Sequence, residues 1–326
     1  MTTTTDRSIL SALGFNKATA LRTFGPLGVL IVLVAISAVI APGVLDPDSL
    51  ISFLSDAAPI IALVIGGTLP ILAGSIDLSV AGAASLAGVL VVVLNPVFGP
   101  WTSVVVVMIA MIFGATQGFV HSWLQLPSFI ITLGTLSMLS GLSLLLSNAT
   151  AEPVPDNDVL VAWLTNSTAG IPNTVIALVI IIAVLGALLR YLRLGRDIYA
   201  LGTGERAALM SAVNVVAVRT IIFAVSAGCA AVAGLFLISI TTFSSPTLAG
   251  NLLLLSIVGV VLGGTAISGG VGGLLPGVVG GLITSWLRIL TVIIGVQPTA
   301  QNIVFGLTAL IAVALTTDRS KLGIIK

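Results

Sequence analysis

Charge, cysteine and histidine are all scarce in this chain. Charged residues make up 7% of its 326 positions, where soluble domains carry roughly 25%, and that excludes an ordinary soluble fold. The one cysteine, Cys229, lies inside an apolar stretch, so neither an intrachain disulfide nor a thiolate metal site is available. The one histidine, His121, is equally isolated and reads as a helix-end or pore-edge residue rather than a proton relay. Absent too are a Walker-type phosphate loop, an HExxH zinc helix and any Ser/His/Asp arrangement, so the chain neither hydrolyses nucleotide itself nor carries membrane catalysis. Acid and base pairs inside apolar runs are nearly missing, which argues against an ion-coupled carrier.

What fills the chain instead is apolar: 57% of residues are hydrophobic and the mean hydropathy is +1.24. No Asp, Glu, Lys or Arg occurs between Asp77 and Glu152, and between Arg219 and Asp318 there is only Arg288. Runs built from blocks of roughly 20 apolar residues predict an all-α polytopic membrane protein of about ten transmembrane helices. The expected spans are 24–41, 55–72, 80–94, 102–124, 127–148, 174–189, 220–240, 252–267, 274–294 and 300–315. Segments 1–23 and 319–326 then flank a transmembrane domain over 24–318. Basic residues gather in the first flank (Arg7, Lys17, Arg22), in the connector 190–219 and in the tail (Arg319, Lys321, Lys326). The loop with Asp46, Asp48 and Asp56, and the loop 149–173, hold none. By the positive-inside rule both termini and the connector are expected in the cytoplasm.

The longest polar break, 192–219, carries Arg193, Arg196, Asp197, Glu205, Arg206 and Arg219, a large share of the chain's 12 Lys/Arg and 11 Asp/Glu. Within it a short helix is expected over 205–213, after the breaker Gly202-Thr203-Gly204. Gly204, Glu205, Arg206, Ala207, Ala208 and Ser211 form the candidate docking element, with small residues that another protein can approach closely. The alternative is an ordinary solvated loop.

Glycine is plentiful, 35 in all. Gly259, Gly263, Gly277 and Gly281 put small faces on the eighth and ninth spans, as close helix packing requires. Val64-Ile65-Gly66-Gly67-Thr68 is echoed by Val261-Leu262-Gly263-Gly264-Thr265, a hint of the internal repetition that transporters use. Asp77 stands between two spans. There it either lines a water-filled path and binds a cation or hydroxyl, or caps the third span together with Ser75 and Ser79; capping is the preferred reading. Arg288, about two turns from the outer end of its span, either snorkels to the interface or faces a cavity.

Four ordered stretches then draw attention together. They are Gly67-Thr68-Leu69 continuing through Ala73-Gly74-Ser75-Ile76-Asp77-Leu78-Ser79-Val80; Leu126-Pro127-Ser128-Phe129-Ile130-Ile131-Thr132-Leu133-Gly134-Thr135; Gly195-Arg196-Asp197-Ile198-Tyr199-Ala200-Leu201-Gly202 with Ala207-Ala208-Leu209-Met210-Ser211; and Gly263-Gly264-Thr265-Ala266-Ile267-Ser268-Gly269-Gly270-Val271-Gly272. Over nearly its whole length the chain resembles the ribose-type permeases of ATP-binding-cassette (ABC) sugar importers.

The resemblance implies a multi-pass subunit of the bacterial inner membrane, not an enzyme, that passes a monosaccharide or similar polar solute inward by alternating access. It implies a partner ABC ATPase that binds the ATP, so that no cofactor sits in this chain. It implies an extracytoplasmic solute-binding protein and a second permease subunit, identical or different, within membrane lipid; nucleic acid has no part. The ATPase is expected on 204–213, and the path along a dimer axis past Phe129, Thr132 and Thr135, with Asp77 and Arg288 as further path candidates. The family's frequent GGN before the docking helix reads Gly202-Thr203-Gly204 here, and its SGI reads Ser211-Ala212-Val213. Arg288 is unusual for the family and points to an anionic solute or a heterodimer. Two rival readings are a self-sufficient facilitator without an ATPase and a structural subunit of a membrane complex, the latter leaving the four motifs unaccounted for.

Overall fold

The computed structural model describes residues 17–316, with side chains described at 25–297, 299–311 and 314; the basic tail and the first sixteen residues lie outside. Thirteen α-helices succeed one another among the described residues. They are α1 (Lys17–Ile40), α2 (Pro47–Leu72), α3 (Val80–Phe98), α4 (Thr102–Trp123), α5 (Ser128–Leu146), α6 (Val159–Leu164), α7 (Asn173–Tyr191), α8 (Arg193–Thr203), α9 (Glu205–Met210), α10 (Val215–Thr241), α11 (Leu252–Leu262), α12 (Leu274–Ile293) and α13 (Pro298–Thr316). Sheet is confined, among the described residues, to two pairs of two-residue strands, Glu152–Pro153 with Phe243–Ser244 and Ser167–Thr168 with Ile171–Pro172.

Among the described residues, six stretches are long and apolar enough to cross a membrane, which makes this a multi-pass, all-helical membrane protein. One of the six, 80–123, is α3 and α4 in series, parted at Gly99, whose φ of +55° suits glycine. Shorter apolar segments, Gly25–Ile40, Leu252–Leu262 and Thr299–Ile311, lie in α1, α11 and α13. Length and hydropathy together thus mark six stretches among the described residues, against ten expected spans. Two expected boundaries also move. Pro47, preset for a first helical position, opens α2 well before residue 55, so Asp48 and Asp56 ride on a helix instead of a loop. The eighth span stops at Leu262 rather than 267; its 11 residues rise about 17 Å, short of a hydrocarbon core about 30 Å thick.

The core gathers around α10, which packs on α2, α3 and α4. Its Ile222, Phe223, Leu235, Phe236 and Ile238 are fully buried, beside Ile60, Leu63, Ile65 and Leu72 of α2. Small residues set these distances: a methyl at Gly114 or Gly118 of α4 would strike the backbone carbonyl of Phe223 or Arg219, so α4 and α10 touch main chain to main chain. Far from there, buried Asp158 caps α6 by accepting from the amides of Leu160 and Val161, and its carboxylate also receives the amide (2.8 Å) and hydroxyl (2.7 Å) of Ser103. The long acidic loop is thereby stapled to the start of α4.

The internal echo is present in a different register. At the end of α2, Ser75 N–H donates to Pro70 O (2.8 Å) and Gly74 N–H to Ile71 O (3.0 Å), with Gly74 at φ +75°. At the end of α11, Thr265 N–H donates to Val260 O (3.2 Å) and Gly264 N–H to Val261 O (2.8 Å), with Gly264 at φ +87°. Both are Schellman caps, closed by a left-handed glycine. The partner of 261–265 is therefore 71–75, not 64–68, which remains inside α2 because the helix runs on to Leu72.

Candidate coupling junction

All four motifs meet at these two caps. Gly270 N–H donates to Leu72 O at 2.9 Å, so the loop after α11 is bonded to the end of α2. Gly202, in the last turn of α8, enters the same contact: a methyl there would strike both Leu72 O and Gly270 N. Tyr199 of α8 donates its hydroxyl to Gly272 O at 2.9 Å, and partial burial pushes that phenol above its ordinary pKa, which keeps the donor proton in place. Below this bond network Ile198 and Leu201 of α8 are buried against Leu69, Leu72 and Ala73 and against Val218, Ile222 and Phe223 of α10.

The break between α2 and α3 is held from the other side by α5. Ile76 N–H donates to Ser128 Oγ (3.0 Å) and Ile76 O accepts from Thr132 Oγ1 (3.2 Å), so both exposed main-chain groups of an unwound residue are satisfied. His121 joins in: Leu126 O can only accept, so Nδ1 carries the proton toward it (2.7 Å) and Nε2 accepts from Ser75 Oγ (3.3 Å).

Asp77 sits at the centre of the break, 5% exposed. Its Oδ1 accepts from Ser79 N–H (3.0 Å), Ser79 Oγ (2.6 Å) and, at a long 3.4 Å, Gln117 Nε2. Its Oδ2 accepts from Ser226 Oγ of α10 at 2.8 Å. Asp77 is therefore not the cap of α3, whose cap position is Ser79 and receives no side-chain bond; its carboxylate closes a turn on Ser79 N–H just ahead of the helix and ties α4 and α10 to it. Among the described residues it has no basic partner, the one ion pair being Arg219 with Glu205. Gln117 and His121, four apart on α4, form a polar stripe on an apolar helix. That spacing was the signal available in the sequence for the partners of the break; Ser226, 149 residues from Asp77, gave none.

The candidate docking element forms as α9, six residues long, ending at Met210 rather than at 213. Glu205 is not free in it: both its oxygens take the Arg219 guanidinium, at 3.1 and 2.8 Å. Arg206, Ala207 and Ser211 are exposed and Gly204 half-buried, while Ala208, expected on the approachable face, is turned inward at 2% exposure against Ile198 and Val215. The outward residues that small-residue reasoning passed over are Leu209, 55% exposed, and Met210, 93% exposed. The helix closes as a third Schellman cap, Val213 N–H to Ala208 O and Ala212 N–H to Leu209 O, with Ala212 at φ +58°. A left-handed alanine costs roughly 1 to 2 kcal/mol. Ala212→Gly is therefore expected to stabilise the connector by about 1 kcal/mol, read as slower amide exchange over 205–213.

The remaining candidates are dispersed. Phe129 is 51% exposed on the outer face of α5, Thr132 is fully buried on Ile76, and half-buried Thr135 bonds back to Ile131 O and Thr132 O (both 3.1 Å). Arg288 stands apart on α12, exposed beside Asp56. No group of three or more His, Cys, Asp or Glu able to hold a metal occurs among the described residues.

The profile of the family described as "Branched-chain amino acid transport system / permease component" matches residues 49–313. Curated relatives agree. The ribose import permease protein RbsC of Haemophilus influenzae is 31% identical over 87% of this chain and 90% of its own length. That of Bacillus subtilis is 31% identical over 92% and 94%, and the D-allose transport system permease protein AlsC of Escherichia coli is 30% identical over 94% and 95%. The chain belongs to the ABC sugar-importer permease family. It is a transporter subunit, not an enzyme. No solved structure matches it.

Proposed function

We propose that this permease moves a monosaccharide or similar polar solute into the cytoplasm by alternating access, driven by ATP binding and hydrolysis in a partner ABC ATPase. The ribose and D-allose transport roles of its relatives support a monosaccharide. In this reading ten spans lie in a bacterial inner membrane with both termini cytoplasmic, a second permease subunit completes the path, and an extracytoplasmic binding protein delivers the solute. The chain itself needs no cofactor.

The observation that carries the reading is the union of α8 with both membrane caps through Gly202, Tyr199 and Gly270. A push on α9 reaches the ends of α2 and α11 through the main-chain contact at Gly202 and the Tyr199 bond, and interfaces so packed move as units. Met210 and Leu209 supply the apolar knob an ATPase groove would take.

Met210→Asp is expected to lower ATP-driven uptake in proteoliposomes about tenfold, the scale of losing a buried interface anchor, with an unchanged thermal midpoint. Ala208→Asp, by contrast, buries a charge and is expected to lower the midpoint itself. Undiminished uptake by the Met210 variant would sink the docking assignment. Vesicles holding the permease alone are expected to be tight to sugar; a leak equal to the ATP-driven flux would favour the facilitator.

A further inference from the structure

We propose that a pocket between α2 and α12, remote from the junction, holds the headgroup of a zwitterionic, ethanolamine-type phospholipid. The pocket has a volume of about 230 Å³ and is lined by Phe53, Asp56 and Ile60 of α2 with Ser285, Arg288 and Val292 of α12. Asp56 precedes the cap residue Leu72 by 16 positions and Arg288 follows Leu274 by 14, roughly 24 and 21 Å along their axes. Both therefore lie most of a hydrocarbon thickness of about 30 Å away from the junction, toward the opposite headgroup region.

Asp56 and Arg288 are both exposed and line one pocket, yet they form no ion pair with each other. Two unlike charges held apart over an apolar floor suit a ligand that carries both. A phosphate matches the planar donor fork of Arg288, and a primary ammonium matches the Asp56 carboxylate. A purely anionic lipid would set a like charge against Asp56.

The wall is built before any ligand arrives. Phe53 meets Trp286 edge-on with ring centroids 4.5 Å apart, and Trp286 Nε1–H donates to Ser37 Oγ of α1 at 2.9 Å. Three helices thus fix the pocket. The proposal stands apart from the transport reading, since it requires neither an ATPase nor a solute.

The test uses the intact permease in nanodiscs containing equal amounts of ethanolamine and glycerol phospholipids, with retained lipid counted by native mass spectrometry. Ethanolamine lipid is expected to be kept about threefold over glycerol lipid, the ratio one partly exposed ion pair sustains. Asp56→Asn is expected to bring that ratio to parity without lowering the total, whereas Arg288→Gln lowers retention of both. Parity in the unaltered protein overturns the proposal, and so does a preference that survives Asp56→Asn. Free phosphoethanolamine separates the two sources of this chemistry: lipid retention unaffected by it supports the proposal, and displacement by it reassigns the pocket to a soluble zwitterion and overturns the lipid assignment. Because both side chains are exposed, the variants are expected to keep the parent's thermal midpoint, which is checked alongside.

Discussion

Gly202→Val is expected to leave little folded permease in the membrane, and Gly202→Ala to lower its thermal stability by about 3 kcal/mol or more, at or beyond the upper range for overpacking. The reason is what surrounds the position. A side chain there meets Leu72 O, Gly270 N and Gly270 Cα, all main-chain atoms, so no rotamer change relieves the clash and the Gly270 to Leu72 bond must break. The neighbouring Thr203→Gly is the control: Thr203 is exposed and its hydroxyl only bonds back to Ala200 O, so that change is expected to be near neutral. Normal accumulation and uptake by the Gly202 valine variant would show that α8 is not seated as described.

The second large effect is at Asp77. Asp77→Ala is expected to cost about 3 kcal/mol, because it strands the Ser226 hydroxyl and both donors of Ser79 inside the protein, and a typical hydrogen bond counts for a net of about 1 kcal/mol. Asp77→Asn is expected to be mild. Its carbonyl oxygen still accepts from Ser79, and its amide donates toward Ser226 Oγ. Thermal midpoint and uptake measured together decide between the two readings of this residue. Reduced midpoint with proportionate uptake fits a structural tie, while full stability with lost transport in the asparagine variant would make Asp77 a path residue.

Helix placement was legible wherever hydropathy and helix ends coincide: α4, α5, α7 and α12 begin and end within two residues of the expected spans. It failed where one residue's conformation outweighs composition. Hydropathy runs on through Ala266 and Ile267, but Gly264 turns left-handed and ends α11 early. Pro47 starts α2 ahead of the acidic residues that suggest a loop. Of the candidate site, Asp77 and the connector were legible because polar residues stand out against lipid-soluble sequence. Which way Ala208 faces was not, since a six-residue helix has too few turns for a periodicity to show. Thr132 stands out in the same way as a polar residue on an apolar helix, yet its hydroxyl serves Ile76 O rather than an open surface. That partner lies 56 residues away, beyond the reach of any local pattern.

The meeting of α2 and α11 at their carboxyl ends has an electrical consequence. A helix carries about half a negative elementary charge at that end, so two such ends bonded through Gly270 concentrate roughly one unit of negative charge that belongs to no side chain. The last turn of α8 closes on the same spot at Gly202, so a third carboxyl end adds to that charge, and an anion approaching the junction meets repulsion that comes from no acidic side chain.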